Sequence, residues 1–180
     1  MEPSDYLESI FYEGDSVEHC SPGIPLFFDF DNWGKSRVGI ASMSRVDSLA
    51  IPPSPSEPVW FIEVKDFRII SHPPNAKNTI YLDNNLLKKS HDSICLITTE
   101  QSFPSEIRKR VDSSDLHFLF HYELPINKKD NAYFPSGYPL NIFQAFCAAD
   151  NHFQKHFFVK AADINRDPAI PWSAVLHERK

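Results

Sequence analysis

The chain has 180 residues, enough for one domain, expected to span 1–180, with a sizeable core. Hydrophobic residues make up 42% and no run of about 18 uninterrupted apolar residues occurs, so neither a disordered chain nor a membrane span is expected. The formal charge of −6 excludes a uniformly basic nucleic-acid-binding surface. A nucleic-acid partner would have to meet a local basic patch, a homo-oligomer that builds one, or a partner subunit.

The N-terminal MEPSDYLESIFYEGD is acidic and lacks a basic stretch before an apolar run, so no secretory signal is expected. Cys20, Cys95 and Cys147 are far apart and without metal-ligand spacing, which fits free thiols in a reducing, cytoplasmic setting. Ser4–Tyr12 predicts a helix capped by Ser4, with Leu7, Ile10 and Phe11 at helical spacing. Ile24–Trp33 alternates apolar and acidic residues, which predicts an edge strand with Asp29 and Asp31 on one face. A D-x-D on a strand can hold a metal, although such acids more often stand in water. Arg37–Met43 predicts a further strand.

Ser44–Ile51 predicts a strand on which Asp47 shares a face with Leu49 and Ile51. Pro52–Pro58 contains four prolines, which remove ladder donors and close the strand. Val59–Ile70 follows and is apolar on both faces of its first half, the pattern of a central strand covered on each side. On it Glu63 and Lys65 are two charges on one otherwise dry face. An unpaired buried ion costs several kcal/mol, on the order of magnitude, so each needs a partner or a task. If the two strands form a hairpin, Asp47 lies near Glu63, and two carboxylates about 4 Å apart repel by roughly 4 kcal/mol at an effective dielectric near 20. Mg²⁺ relieves that repulsion and favours one or two carboxylates plus water and phosphate.

After a loop at 71–77, Asn78 is expected to cap a helix over Thr79–Ser90, with Lys88 and Lys89 in its last turn. Ser93–Thr98 is short and apolar and predicts a buried strand. Ser105–Val111 predicts a short helix carrying Arg108, Lys109 and Arg110, the densest basic cluster in the chain. Leu116–Leu124 predicts a strand with His117 and His121 on one face; partly exposed packing competes there with metal ligation. Asn127–Tyr138 reads as a polar, turn-rich insertion, and Leu140–Phe153 as a helix with Ile142, Phe143, Phe146 and Ala149 inward. His152 and His156 lie four apart, but a zinc site would need at least one more His, Cys or acid beside them. The tail is expected to pack through Ile170, Trp172 and Val175.

Asp47, a hairpin loop, then Glu63-Val64-Lys65 resembles the PD-(D/E)XK phosphodiesterase superfamily of metal-dependent nucleases, with Val46 where the family often has Pro. The resemblance implies an α/β fold, a central mixed β-sheet flanked by helices and restriction-endonuclease-like. It implies that Asp47 and Glu63 bind Mg²⁺ or Mn²⁺ and that Lys65 positions or activates the attacking water. Many relatives add a Glu from the first helix; Glu8 is the nearest candidate, with Glu13 and Glu18 behind it, each weighed against a solvated helix charge. Lys88, Lys89, Arg108, Lys109 and Arg110 are the candidate nucleic-acid contacts. DNA is the expected substrate, and relatives of this kind suggest a role in bacterial defence. The competing expectation is a non-catalytic subunit on the same fold that binds nucleic acid or protein, with Glu63 and Lys65 as a buried ion pair that fixes register. An unrelated enzyme built on Asp29, Asp31 and a His pair is the third.

Overall fold

The computed structural model describes residues 7–13, 16–21, 25–69, 76–124 and 138–178. In chain order the elements are β1 (Leu7–Glu8), β2 (Ile10–Glu13), β3 (Val17–Cys20), β4 (Leu26–Asp29), α1 (Phe30–Lys35), β5 (Ser48–Ile51) and β6 (Val59–Asp66). They continue with a 3-10 turn (Phe67–Ile69), α2 (Ala76–Thr99), α3 (Ser105–Ser113), β7 (Leu116–Glu123), α4 (Tyr138–Ala149), β8 (Lys155–Val159), α5 (Ala161–Ile164) and β9 (Ser173–Leu176). Six strands form a central mixed sheet in the order β1-β4-β5-β6-β7-β8, and β2-β3-β9 form a second sheet. The strands from β1 to β6 pair antiparallel, whereas β6–β7 and β7–β8 are parallel. Parallel neighbours need a crossover, and α2 with α3, then α4, supply the two.

β6 sits at the centre because its side chains are apolar in both directions. Val59, Phe61 and the β7 residues Phe118 and Phe120 belong to a core shared with Leu86, Leu96 and Ile97 of α2 and Phe143 and Phe146 of α4. Trp60, Ile62 and Val64 belong to a second core on the other face, with Ile164 of α5 and Trp172 and Ala174 beside or on β9. Among the described residues no helix is long and apolar enough to cross a membrane.

Several expected elements differ. Residues 7–12, expected to be helical, lie in β1 and β2, which belong to different sheets; the rest of that segment, 4–6, lies outside the described residues. Arg37–Met43 forms turns rather than a strand. The Ile24–Trp33 strand stops at Asp29, whose carboxylate accepts the Asn32 backbone N–H at 3.0 Å and caps α1. Asp31 is therefore helical and pairs with Lys35 and Arg45, so the two acids do not share a strand face. The Ser93–Thr98 strand is instead the last part of α2, because Leu86, Ser90, Ser93 and Ile97 recur at helical spacing and are all buried. Lys88 and Lys89 consequently stand in mid-helix, away from its last turn. Ala149 and Val175 are exposed, against expectation. The turn-rich insertion falls, up to residue 137, outside the described residues, as do 70, the end of the expected Val59–Ile70 strand, and 71–75 of the loop, whose last two residues open α2.

The two sheets are joined by a buried hydrogen-bonded chain. Trp172 Nε1–H donates to His19 Nδ1 at 2.9 Å, His19 Nε2 lies 2.8 Å from His121 Nδ1, and His121 Nε2 lies 2.9 Å from Glu123 Oε1. Indole nitrogen only donates, so His19 Nδ1 must accept. That places the His19 proton on Nε2, makes His121 Nδ1 the next acceptor, and leaves His121 Nε2–H to donate to the carboxylate. The same Glu123 oxygen accepts the Ala161 N–H at 2.7 Å. His121 is thus a packed, hydrogen-bonded residue, and its ligand atoms are not paired with those of His117.

Burial, helped by the nearby His121, holds His19 well below the ordinary value of 6.5. The unfolded chain takes up a proton at this residue below about pH 6.5 and the native state does not, so His19 costs stability as pH falls through that value. The expected outcome is that wild type loses up to about 1.4 kcal/mol per pH unit below pH 6.5 relative to His19→Gln, measured as the difference between their urea unfolding free energies. Parallel pH profiles would show that His19 is not buried neutral.

Candidate active site

The hairpin β5–β6 delivers the site. Ser48 pairs with Ile62 and Leu49 with Phe61, and the Asp47 N–H donates to the Ile62 carbonyl at 3.0 Å, extending the ladder by one residue. Asp47 is held from its other neighbours as well. Its carbonyl accepts the Asp31 N–H at 3.1 Å, and Ser93 Oγ of α2 accepts the Val46 N–H at 2.9 Å. Just upstream, the buried Arg45 guanidinium donates to the carbonyls of Ile40, Met43 and Asp31. Gly34 passes so close to that guanidinium that a Cβ would overlap it, so the glycine is what lets α1 lie against this segment.

Asp47, Glu63 and Lys65 come together on the face of the sheet covered by α2 and α4. Glu63 is fully buried, and its Oε1 lies 2.5 Å from Lys65 Nζ. Lys89 reaches down from α2, with Nζ 2.6 and 2.8 Å from the two Glu63 oxygens and 3.5 Å from Asp47 Oδ1. One ammonium therefore touches both carboxylates. Asp47 Oδ2 accepts the Val64 N–H at 2.7 Å. Burial, and then the Glu63 charge, raise Asp47 from 3.8 to about 6, against the opposing pull of Lys65, Lys89 and the Val64 hydrogen bond. Glu63, Lys65, Lys89, Leu86, Phe120 and Ile142 line a small cavity of about 10 Å³, room for about one water.

The remaining candidates are distributed otherwise. Glu8 is exposed and pairs in register with Phe27, whose side chain enters the second core, so it lies on the opposite face from Glu63 and cannot join the site. It stands instead at a separate cleft with Asp29 and Asn32. Glu18 lies on β3 beside His177, and the Glu13 side chain is outside what is described. Lys88 points outward and pairs with Asp92. Arg108 donates to the Ile97 and Glu100 carbonyls at the end of α2, and Arg110 to the Pro52 and Ser54 carbonyls of the proline loop. Both arginines thus hold backbone carbonyls, Arg108 at the end of α2 and Arg110 in the proline loop. Lys109 is exposed and pairs with Glu106.

The site residues suit a divalent cation in donor type. Two carboxylates contact one ammonium, and Glu63 also borders the cavity with its room for about one water. Compared with known proteins, the chain matches no family model, no curated protein and no solved structure.

Two outcomes follow for the metal-free protein near pH 7.5. Asp47→Asn keeps an acceptor for the Val64 N–H and removes a repelling charge, so it should melt at or above wild type. Lys89→Met leaves Glu63 with one ammonium instead of two and should cost roughly 1.5–3 kcal/mol in urea unfolding. A strongly destabilised Asp47→Asn would mean that the Asp47 charge is a net stabiliser of the fold.

Proposed function

We propose that this chain is a metal-dependent phosphodiesterase of the PD-(D/E)XK kind, a restriction-endonuclease-like enzyme that hydrolyses nucleic acid, with DNA as substrate and Mg²⁺ or Mn²⁺ as cofactor. One observation carries the reading: a hairpin brings Asp47, Glu63 and Lys65 to one face beside a small cavity, with both carboxylates on a single cationic group. Burial and the Glu63 charge push Asp47 up to about 6, a cost that a divalent cation between the two acids would relieve.

Asp47 and Glu63 would hold the cation, which supplies a water of lowered pKa and neutralises charge developing on the phosphate. Lys65 is partly open to solvent, and its ammonium lies against Glu63, placed to orient that water or the phosphate. Lys89, on giving up Glu63, has a phosphate oxygen as its natural next partner. Leu86, Phe120 and Ile142 keep the cavity wall apolar, which strengthens each of these charge interactions.

A second reading has its own support. Lys89 already serves Glu63 with two hydrogen bonds, so the four charged groups also describe an internal salt-bridge cluster in a non-catalytic nucleic-acid- or protein-binding subunit. The net charge of −6 and the diversion of Arg108 and Arg110 to backbone carbonyls favour it.

Incubation with supercoiled plasmid, linear duplex and single strand separates the two. The nuclease reading expects cutting in millimolar Mg²⁺ or Mn²⁺ that EDTA stops, and a loss of about 100-fold or more in Lys65→Ala. Absence of cutting on all three substrates, with a melting temperature that ignores both metals, supports the salt-bridge reading. Equal cutting by wild type and Lys65→Ala places the activity elsewhere.

A further inference from the structure

We propose that His91, Asp150 and His152 form a binding site for a borderline divalent transition-metal ion, with Zn²⁺ the natural occupant, separate from the Asp47–Glu63 pair. His91 comes from α2; Asp150 and His152 come from the turn between α4 and β8. One ligand atom from each lies within 4.8 Å of the other two, and the two imidazole rings are 4.7 Å apart between centroids. A tetrahedral zinc with ligands at about 2.0–2.1 Å needs ligand separations near 3.4 Å. The difference is within reach of side-chain rotation, because both His91 and His152 are exposed.

Asp150 carries the argument further than proximity does. Its side chain has no solvent exposure, yet its two oxygens are used unequally. Oδ2 accepts the backbone N–H of His152 at 3.2 Å and of Phe153 at 3.1 Å, and lies 3.1 Å from His156 Nε2. Oδ1 makes no hydrogen bond; its near neighbour is His152 Nδ1 at 3.4 Å. A buried carboxylate oxygen without a hydrogen bond forfeits about 1–3 kcal/mol or more. Here the unsatisfied oxygen faces the imidazole of the same cluster, while its twin is fixed by three donors. That is how a ligating carboxylate is held in a metal site: one oxygen anchored by surrounding hydrogen bonds, the other turned toward the ion.

The donor set also selects the ion. Two imidazoles and one carboxylate suit Zn²⁺, whereas Mg²⁺ prefers an all-oxygen, largely hydrated shell. Three protein ligands leave a fourth position for water. His156 acts as a positioning residue through Asp150 Oδ2 and touches no ion. The ion would tie α2 to the turn that leads into β8.

Titration of the full chain with ZnCl₂, followed by calorimetry and melting temperature, tests this, with Co²⁺ absorption as a readout of coordination. The expected result is one saturable Zn²⁺ per chain, a rise in melting temperature that Mg²⁺ does not reproduce, and a tetrahedral Co²⁺ spectrum. His91→Gln and His152→Gln, both on exposed side chains and foldable without metal, should weaken Zn²⁺ by about 100-fold or more. His156→Phe should weaken it about 10- to 100-fold. Asp47→Asn should leave it unchanged, which keeps the test independent of the nuclease reading. Equal Zn²⁺ affinity in wild type and both glutamine variants, loss of binding in Asp47→Asn, or no binding by wild type would each overturn the assignment.

Discussion

The contact on which the structure depends is that of the Glu63 carboxylate with two ammonium groups. Glu63 has no exposure to solvent, and it is held by Lys65 from its own strand and Lys89 from α2. A carboxylate stripped of water with no partner would cost several kcal/mol, on the order of magnitude. Lys89 must therefore come down from α2, and its contact fixes the helix over the sheet at this level. The Ser93 contact with the Val46 backbone does the same one helical turn further on. Together they place the helix, the Asp47 segment and β6 in one register.

The two faces of the sheet treat buried charge differently at the same level. Glu63 pairs in register with Phe120, and its neighbour Val64 with His121. On the His121 side the chain from Trp172 through His19 and His121 to Glu123 is paired link by link. That network is balanced, and its consequence is rigidity between the two sheets. On the Glu63 side two acids crowd one point and Asp47 is pushed up to about 6. Lys65 and Lys89 match the two acids in number, yet burial and the Glu63 charge still raise Asp47.

Much of this was legible in sequence where the pattern was long. β7 and the first eight residues of the Val59–Ile70 strand read correctly because such runs of apolar and β-prone side chains leave little else for them to be, whereas Phe67–Ile69 turn into a 3-10 helix. The hairpin was legible because the proline loop permits no other local path. Short segments failed, for physical reasons that differ. Residues 7–13 satisfy helical spacing and strand pairing equally, and the deciding partners are β3 and β4, remote in sequence. The apolar SICLIT stretch has the local pattern of a strand, and only its helical register with Leu86 and Ser90, across two lysines, makes it the end of α2. The same register decides which lysine faces the sheet, since residues one apart on a helix point about 100° apart. Asp29 was misread because an acid ending a strand and an acid capping a helix have the same local sequence. The role of Asp150 was invisible, since its partners are set by how the turn after α4 closes against α2.

The proposed function requires a divalent cation to take the place of the Lys89 ammonium between Asp47 and Glu63. Anomalous diffraction from crystals soaked in Mn²⁺ tests it most directly. The predicted result is a Mn²⁺ peak bonded to oxygens of both carboxylates, with Lys89 Nζ moved away from Glu63. Lys89 still bound to Glu63, with no peak between the two acids at saturating Mn²⁺, would contradict it.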